Sequence, residues 1–333
     1  MNADRLGLAS LLSALVIAIL VPVLFGAGGA ANLLEQVFAF GIFAVSYDLL
    51  IGYTGVVSFG HAMFFGTGAY AAGIFLVHGN GSALSLLAGL LTALAASLLL
   101  SLVVAFFSLR IRSVYFAMIT LAVGQTFYVL AGSQALQPLT NADNGMTVPL
   151  PQWLEHGQTV YYVCLATLVF AVLVLRRFVN SPVGAVLRGI RENEARALAL
   201  GHSVFRFKTL AFLVSGLFAT LAGAVYVIAQ TFVSTGVYDV SISLNVLLMT
   251  IIGGVGTLYG GLLGALIILL AQAEFMNLAG AYPLFGRYMI VFGVIYIVIV
   301  RFLPNGIVGG LRTWAKGRAR RGTDDKGGAY GKG

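Results

Sequence analysis

The sequence predicts an all-α, polytopic membrane protein with about eight to ten transmembrane helices, some of them broken by glycine or re-entrant. Of its 333 residues, 59% are hydrophobic and only 9% are charged, whereas an ordinary soluble domain has about 25% charged residues. The mean hydropathy is +0.98. Apolar residues run continuously over 84–107 and 207–228, without the alternation that membrane β-strands require.

This composition excludes several classes of protein. A soluble globule cannot conceal so much apolar surface, which excludes soluble enzymes, nucleic-acid-binding domains and disordered scaffolds. The net charge of +8 comes largely from basic residues in 176–208 and beyond 312. Both regions flank apolar segments, so the positive-inside rule explains them and no nucleic acid is implied. The single cysteine, Cys164, excludes an internal disulfide framework and offers no metal cluster.

The predicted membrane spans follow the apolar segments in chain order. They are residues 6–25, 33–51, 56–77, 84–107, 114–131, 159–175, 207–228, a glycine-broken stretch over 242–271, and 288–303. The first span imitates a signal peptide, but it is too long and its charged region too weak, so we expect it to be retained, with cleavage as the alternative. We expect a transmembrane domain over 1–311 and a basic, glycine-rich, disordered cytoplasmic tail over 312–333.

The charge distribution predicts the topology. Arg110, Arg112 and the loop 177–206 should be cytoplasmic, while the connector 133–157, which has no Lys or Arg, should lie outside. The basic tail can then be cytoplasmic only if 242–271 forms two short passes or a re-entrant pair, broken near Gly253 and Gly254. One helix of that length would also overshoot a bilayer.

Glycines interrupt two apolar regions in a similar way. The first set is Gly52, Gly55 and Gly60, and the second is Gly253, Gly256 and Gly260. Paired glycine breaks in the two halves of a transporter point to its transport site. Close helix packing is the alternative, since Gly256, Gly260 and Gly264 form a tandem GxxxG pattern, and the two readings are compatible.

The candidate translocation pathway comprises the small and polar residues at these breaks. They are Tyr53, Gly55, Ser58, Gly60, His61, Gly253, Gly254 and Gly256. His61 either lines the pathway or hydrogen-bonds a neighbouring helix, and Tyr53 and Ser58 either offer hydrogen bonds to a transported molecule or join helices. Acids in or near spans are functional suspects, so Glu35, Asp48 and Glu274 could instead form a proton or ion relay.

The segment 180–201 predicts a cytoplasmic helix. Ser181 is a suitable N-cap before Pro182, Arg188 and Glu192 form an i,i+4 pair, and Gly201 is a good stop signal. We expect a kink near Gly189. A simple surface helix on the inner leaflet is the alternative. The sequence contains no GxxxxGK[ST] phosphate loop, so if transport is powered by ATP, the ATPase must be another chain.

Several motifs resemble a known family. Residues 194–201 (EARALALG) resemble the EAA loop of ABC importer permeases, with Arg196 in place of the second alanine. Residues 52–70 (GYTGVVSFGHAMFFGTGAY), 115–124 (YFAMITLAVG), 247–261 (LLMTIIGGVGTLYGG) and 301–306 (RFLPNG) resemble the LivM-type permeases of branched-chain amino acid ABC importers. Their order and spacing cover most of the chain, over 33–310. Residues 140–145 (TNADNG) resemble the outer loop of that family, with Asn141 where glycine is usual.

The resemblance implies a permease of the bacterial inner membrane that works by alternating access and is not itself an enzyme. It implies a LivH-like second permease, two LivG/LivF-like ATPase subunits that carry ATP and Mg²⁺, a periplasmic substrate-binding protein, and contact with membrane lipid. The residues expected to couple the chain to the ATPase are Arg188, Arg191, Glu194, Ala195 and Gly201. A permease for urea or short amides, or an ion-coupled secondary transporter, is the alternative.

Overall fold

The computed structural model describes residues 28–108, 113–155 and 157–279, together with the single residues 18, 19, 22, 293, 301, 306, 307 and 309. The predicted spans 6–25 and 288–303, the pair Arg110 and Arg112, and the tail 312–333 therefore lie outside the described residues, apart from a few isolated positions. The two longest ranges contain all the helices that bear on the candidate site.

The described ranges are almost entirely helical. The helices are α1 (Gly29–Tyr53), α2 (Ala62–His78), α3 (Ala83–Ser108), α4 (Ser113–Ala131), α5 (Gln137–Thr140), α6 (Gly157–Val179), α7 (Pro182–Glu192), α8 (Glu194–Ala199), α9 (Val204–Gln230), α10 (Val240–Gly253) and α11 (Tyr259–Ala279). Six of them, α1, α3, α4, α6, α9 and α11, are long and apolar enough to span a membrane, and α2 and α10 are shorter apolar helices. The predicted all-α, multi-pass fold is confirmed.

Two helices form the centre of the molecule. In the most apolar 18-residue part of each helix, 83% of α1 and 67% of α9 is buried inside the protein. For α3, α4 and α11 the buried share of that part is 28%. Helix α1 contacts α6, α9, α10 and α11, while α9 also packs on α2 and α3. The outer helices expose leucine and phenylalanine side chains such as Leu99 and Phe107, as expected of helices that face lipid.

Close backbone contact holds neighbouring helices together at glycine. A Cβ atom added to Gly68 would lie 1.9 Å from the Thr220 carbonyl oxygen, and one added to Gly264 would lie 1.8 Å from the Met249 carbonyl oxygen. These contacts join α2 to α9 and α10 to α11. Small residues permit such approaches in membrane helices, where burial from water supplies little attraction between helices.

The second predicted glycine break is confirmed. Helix α10 ends at Gly253 and α11 begins at Tyr259. In the turn between them Gly254 has φ +120° and Gly256 has φ +81°, conformations that L side chains rarely adopt. The close-packing reading of Gly260 and Gly264 holds at the same time, since Gly260 lies against Gly253. The close-packing interpretation is therefore confirmed, while the role of the break as a transport site stays a prediction.

The first predicted glycine break is also present, but the helix that follows it begins later than predicted. A continuous span over 56–77 was wrong, because residues 54–61 form a loop and α2 begins only at Ala62. Gly55 has φ +72° in this loop. The loop passes close to α4, where a Cβ on Gly60 would lie 1.7 Å from the Thr120 carbonyl oxygen. The side chain of Ser243 on α10 accepts a hydrogen bond from the Ala62 amide at 2.8 Å.

The end of the molecule opposite α7 carries the connector 133–155. Its strand β1 (Met146–Thr147) pairs antiparallel with β2 (Phe232–Val233), which follows α9. Asn141 has φ 56° there, and asparagine tolerates this left-handed conformation better than most residues. That tolerance explains how asparagine can occupy this position, at which the family that the sequence resembles usually has glycine.

The packing at Gly264 gives a direct test of the α10–α11 contact. We expect Gly264→Ala to lower the unfolding free energy by about 1–3 kcal/mol, because the added methyl overpacks the contact with the Met249 backbone. Thermal unfolding of the purified chain in detergent measures the effect. Gly189→Ala is the matched control, since nothing lies within 4 Å of its added Cβ, and it should leave the midpoint unchanged or raised. Equal midpoints for the two variants would contradict the packing.

Candidate functional site

The two glycine breaks meet at the end of the molecule that carries α7, here called the basic end. We define turn A as residues 52–55, which comprise the last two residues of α1 and the two that follow it, and turn B as residues 254–258, between α10 and α11. A Cβ on Gly52 of turn A would lie 2.6 Å from the Gly256 nitrogen of turn B. Gly306, which belongs to neither turn, also lies against turn B, since a Cβ on it would be 2.4 Å from the Gly254 Cα. The two turns are therefore in backbone contact.

Asp48 joins turn B to α1. Its side chain is fully buried, and its carboxylate accepts hydrogen bonds from the Gly256 amide at 2.6 Å and the Leu258 amide at 2.9 Å. Hydrogen bonds to an ionised acceptor are about twice as strong as neutral ones. Each carboxylate oxygen is thus engaged by a backbone donor, so Asp48 fixes the position of turn B against the last turns of α1.

Arg191 joins helix α7 to both turns. Its guanidinium Nη1 donates a hydrogen bond to the Gly52 carbonyl oxygen. Its Cγ would lie 3.4 Å from a Cβ on Gly55, and its Nη1 would lie 3.0 Å from one on Gly256. The Gly52 carbonyl is near the C-terminal end of α1, where the helix dipole favours a cation. We call Asp48, Gly52, Arg191, Gly256 and Leu258 the Asp48–Arg191 clasp.

Arg188 provides a second attachment of α7. Its Nη1 donates to the Val179 carbonyl oxygen at 2.9 Å, and its guanidinium carbon lies 5.9 Å from the centroid of the Tyr53 ring, within the range of a cation–π contact. The predicted ion pair of Arg188 with Glu192 was wrong. A carbonyl at a helix end and an aromatic face hold the guanidinium in place of a solvated carboxylate.

The cytoplasmic segment predicted over 182–201 forms two helices. The Ser181 side chain accepts from the Gly184 amide, as an N-cap should, and α7 ends at Glu192. The kink expected near Gly189 was wrong, because the break falls at Asn193, which has φ −158° and ψ 101° and caps α8 by accepting from the Arg196 amide. Gly201 has φ +84° where the chain leaves this segment.

Helix α8 leaves part of its surface open. Glu194 pairs with Lys208 of α9 at 2.7 Å, with 54% of the Glu194 side chain exposed. Ala195 is exposed, and so are Leu198 and Leu200, by 56% and 72%. Only Ala197 is buried in this helix. The segment therefore presents an apolar surface at the basic end, away from the clasp.

His61 lies in a separate buried centre. Its Nε2 is 2.9 Å from Ser215 Oγ of α9, and that hydroxyl donates to the Ser46 carbonyl oxygen of α1 at 2.6 Å. The Tyr47 hydroxyl donates to the Ser58 carbonyl oxygen at 3.0 Å. The imidazole ring stacks on Phe43 with centroids 5.8 Å apart. His61 thus hydrogen-bonds a neighbouring helix, as one of the two interpretations expected.

The structure divides the predicted site residues into three places. At the basic end, Tyr53 meets Arg188, Gly55 and Gly256 meet Arg191, Gly254 lies in turn B, and Gly253 packs on Gly260. Ser58 and His61 lie in the buried centre, with Gly60 beside α4. Glu194, Ala195 and Gly201 lie on or after α8. Sequence reasoning missed Ser46, Ser215 and Ser243. Small hydroxyl side chains inside apolar helices are the signal that could have found them.

The three acids considered for an ion relay do not come together. Glu35 and Asp48 lie on the same helix about 20 Å apart, given the rise of an α-helix. Glu274 is exposed near the end of α11, and both oxygens of Asp48 already accept backbone hydrogen bonds. An acid relay needs neighbouring groups that exchange protons or ions, so this arrangement does not favour the ion-coupled alternative.

Comparison with known proteins confirms the resemblance. A family described as the branched-chain amino acid transport system / permease component matches residues 29–300. The high-affinity branched-chain amino acid transport system permease proteins LivM of Salmonella typhimurium and Escherichia coli are each 26% identical over 328 residues, covering 90% of this chain and 74% of theirs. A probable branched-chain amino acid transport permease protein LivM of Methanocaldococcus jannaschii is 25% identical over 162 residues, covering 46% and 47%. No solved structure matches.

The clasp predicts a specific effect of Arg191→Gln. Losing a charged hydrogen bond costs about 1.5–3 kcal/mol, so α7 should be held less firmly against turns A and B, with only the Arg188 attachment left, while the helices stay folded. We expect Gly189→Cys, labelled with a spin probe on α7, to become mobile in the Arg191→Gln chain. Arg177→Gln, an exposed arginine at the end of α6, is the matched control and should leave the probe ordered. An unchanged probe spectrum in Arg191→Gln would show that the clasp does not hold α7.

Proposed function

The chain belongs to the family of branched-chain amino acid transport permeases, and on this premise we propose that it is the permease subunit of an ATP-driven ABC importer for branched-chain or related amino acids. It would act in the bacterial inner membrane. The observation that carries the proposal is the attachment of α7 to both glycine turns by Arg191. A helix outside the membrane is thereby linked to the two places where membrane helices are broken.

The proposed partners follow from the surfaces of the chain. Ala195, Leu198 and Leu200 offer an apolar surface on and after α8 that a separate ATPase subunit would cover. The outward apolar faces of α3 and α4 would meet lipid and a second, LivH-like permease. A substrate-binding protein would dock at the end carrying β1 and β2. ATP and Mg²⁺ would bind the two ATPase subunits, and this chain would perform no covalent chemistry.

Transport would proceed by alternating access. ATP binding moves the ATPase subunits, which displace α8 and α7 together, because Ile190, Ala197 and Val204 form a shared apolar contact among α7, α8 and α9. Arg191 then transmits the displacement to turn A. Turn B moves with turn A, because Asp48 of α1 is hydrogen-bonded to two amides of turn B. The two broken helices thus change position together, which exposes the pathway to one side of the membrane and closes it to the other.

Co-purification tests the assembly. The tagged chain, gently solubilised from its native membrane, should bring with it an ATPase that carries a phosphate loop and a second, similar permease. Reconstituted with these subunits and the substrate-binding protein, it should take up leucine only when ATP is supplied. A homo-oligomer without an ATPase, stable in several detergents, would overturn the proposal, and so would leucine uptake by this chain alone under an ion gradient.

A charge swap separates docking from folding at α8. We expect Glu194→Lys to abolish uptake while the protein stays in the membrane, because an exposed ion pair contributes only about 0–1 kcal/mol to stability. The double variant Glu194→Lys with Lys208→Glu restores the ion pair in reverse. If Glu194 contacts the ATPase, the double variant stays inactive. Recovery of uptake in the double variant would show instead that only the internal pair matters.

A further inference from the structure

The buried centre around His61 contains polar atoms that lack partners. His61 and Ser58 are fully buried, and His61 Nδ1 and Ser58 Oγ have no hydrogen-bond partner among the described residues. A buried polar atom without a partner destabilises a fold, and more so in a membrane. Phenylalanine would fill the same aromatic environment without that cost. We therefore expect the imidazole to form a hydrogen bond, in another conformation, that it does not form here.

The hydrogen bonds assign the proton on the imidazole. Ser215 Oγ has one proton, which it donates to the Ser46 carbonyl oxygen at 2.6 Å. It must therefore accept from His61 Nε2–H at 2.9 Å. In the neutral ring the other nitrogen then carries a lone pair and no proton. His61 Nδ1 is consequently an acceptor, and any ligand that it binds must bring an N–H or O–H donor.

The rings around His61 favour a cation as that donor. Phe43 stacks on the imidazole with an interplanar angle of 9°. Tyr47 and Phe64 meet it edge-on, with centroids 5.4 and 5.2 Å away. Aromatic side chains attract ammonium groups, most strongly where water is excluded. A carboxylate is disfavoured, because it would face a lone pair on Nδ1.

The backbone next to His61 does not offer an anion site either. The first amides of α2 are engaged: Ala62 donates to Ser243 Oγ, Met63 to the Gly60 carbonyl and Phe64 to the His61 carbonyl. A carboxylate at this helix start would have to displace those bonds. The available chemistry is thus one imidazole acceptor inside an aromatic enclosure, together with the buried hydroxyl of Ser58, whose backbone carbonyl bonds Tyr47 of that enclosure.

We propose that His61 Nδ1 and Ser58 Oγ form the site that receives the ammonium group of the transported amino acid when the aromatic side chains that cover His61 move aside and the Ser46–Ser215–His61 hydrogen bonds stay intact. This inference rests on the proposed function and adds a substrate contact to it. Ser215 acts as a positioning residue, since its bond to Nε2 keeps the proton off Nδ1. The site is closed in the described conformation, as alternating access requires of a pathway between its two open states.

Uptake by the assembled importer tests the site. His61→Phe keeps the aromatic packing and removes the acceptor, and it should lower the maximal leucine uptake rate by about tenfold or more. His61→Gln supplies one donor and one acceptor and should recover most of the rate. Ser58→Ala should lower uptake as well, whereas Ser97→Ala, which removes another buried hydroxyl without a partner, should not. Wild-type rates in His61→Phe, or a His61→Gln as inactive as His61→Phe, would overturn the proposal.

Nitrogen-15 spectra of the imidazole give an independent readout. In the assembled importer with His78, His156 and His202 of this chain changed to Gln, His61 is the remaining one of its four histidines. Its Nδ1 resonance should move on addition of leucine or 3-methylbutylamine and stay in place with 4-methylpentanoate, which lacks the ammonium group. A response to the carboxylate alone, or none to leucine in a sample that transports leucine, would refute the site. A wild-type assembly that transports no leucine would refute the proposed function instead.

Discussion

The arrangement of the basic end depends on the burial of one carboxylate. Asp48 sits inside the protein and accepts two amides of turn B, while Arg191 bonds the carbonyl at the end of α1. Removing a partner from a buried charged group is costly, because the remaining charge stays desolvated. Turn A, turn B and α7 must therefore move together or not at all. The glycines at 52 and 256 are a consequence, since a methyl group at either would intrude on the clasp.

Much of the fold could be predicted from the sequence, because the bilayer requires long apolar helices. The apolar runs located α1, α3, α4, α6, α9 and α11, and charge parity required the break that the structure shows after Gly253. The start of α2 could not be predicted. Residues 56–61 are apolar enough to read as helix, and only their contact with α4 through Gly60 and Thr120, distant in sequence, explains why they form a loop.

The site was only partly predictable. The glycine breaks and the arginines of α7 were identified from spacing and resemblance, yet the sequence gives no sign that Arg191 reaches Gly52, which is 139 residues away. Asp48 was suspected as a relay because it is an acid in a span, whereas its oxygens bond the backbone of turn B. The hydrogen-bond partner of His61 is Ser215, which in turn bonds the Ser46 carbonyl, and these two serines come from two helices that periodicity treats as purely apolar. Tertiary contacts decide such roles, and local patterns do not encode them.

The central claim is that α7 and turn B move as one body during transport. Spin labels at Gly189→Cys on α7 and Val255→Cys in turn B, with Cys164→Ser to remove the native thiol, report the distance between them in the assembled importer. A second pair joins Gly189→Cys to Leu139→Cys in α5 at the opposite end. On ATP binding we predict that the first distance stays within about 2 Å while the second changes by more. A change in the first distance of the same size as the second would contradict the account.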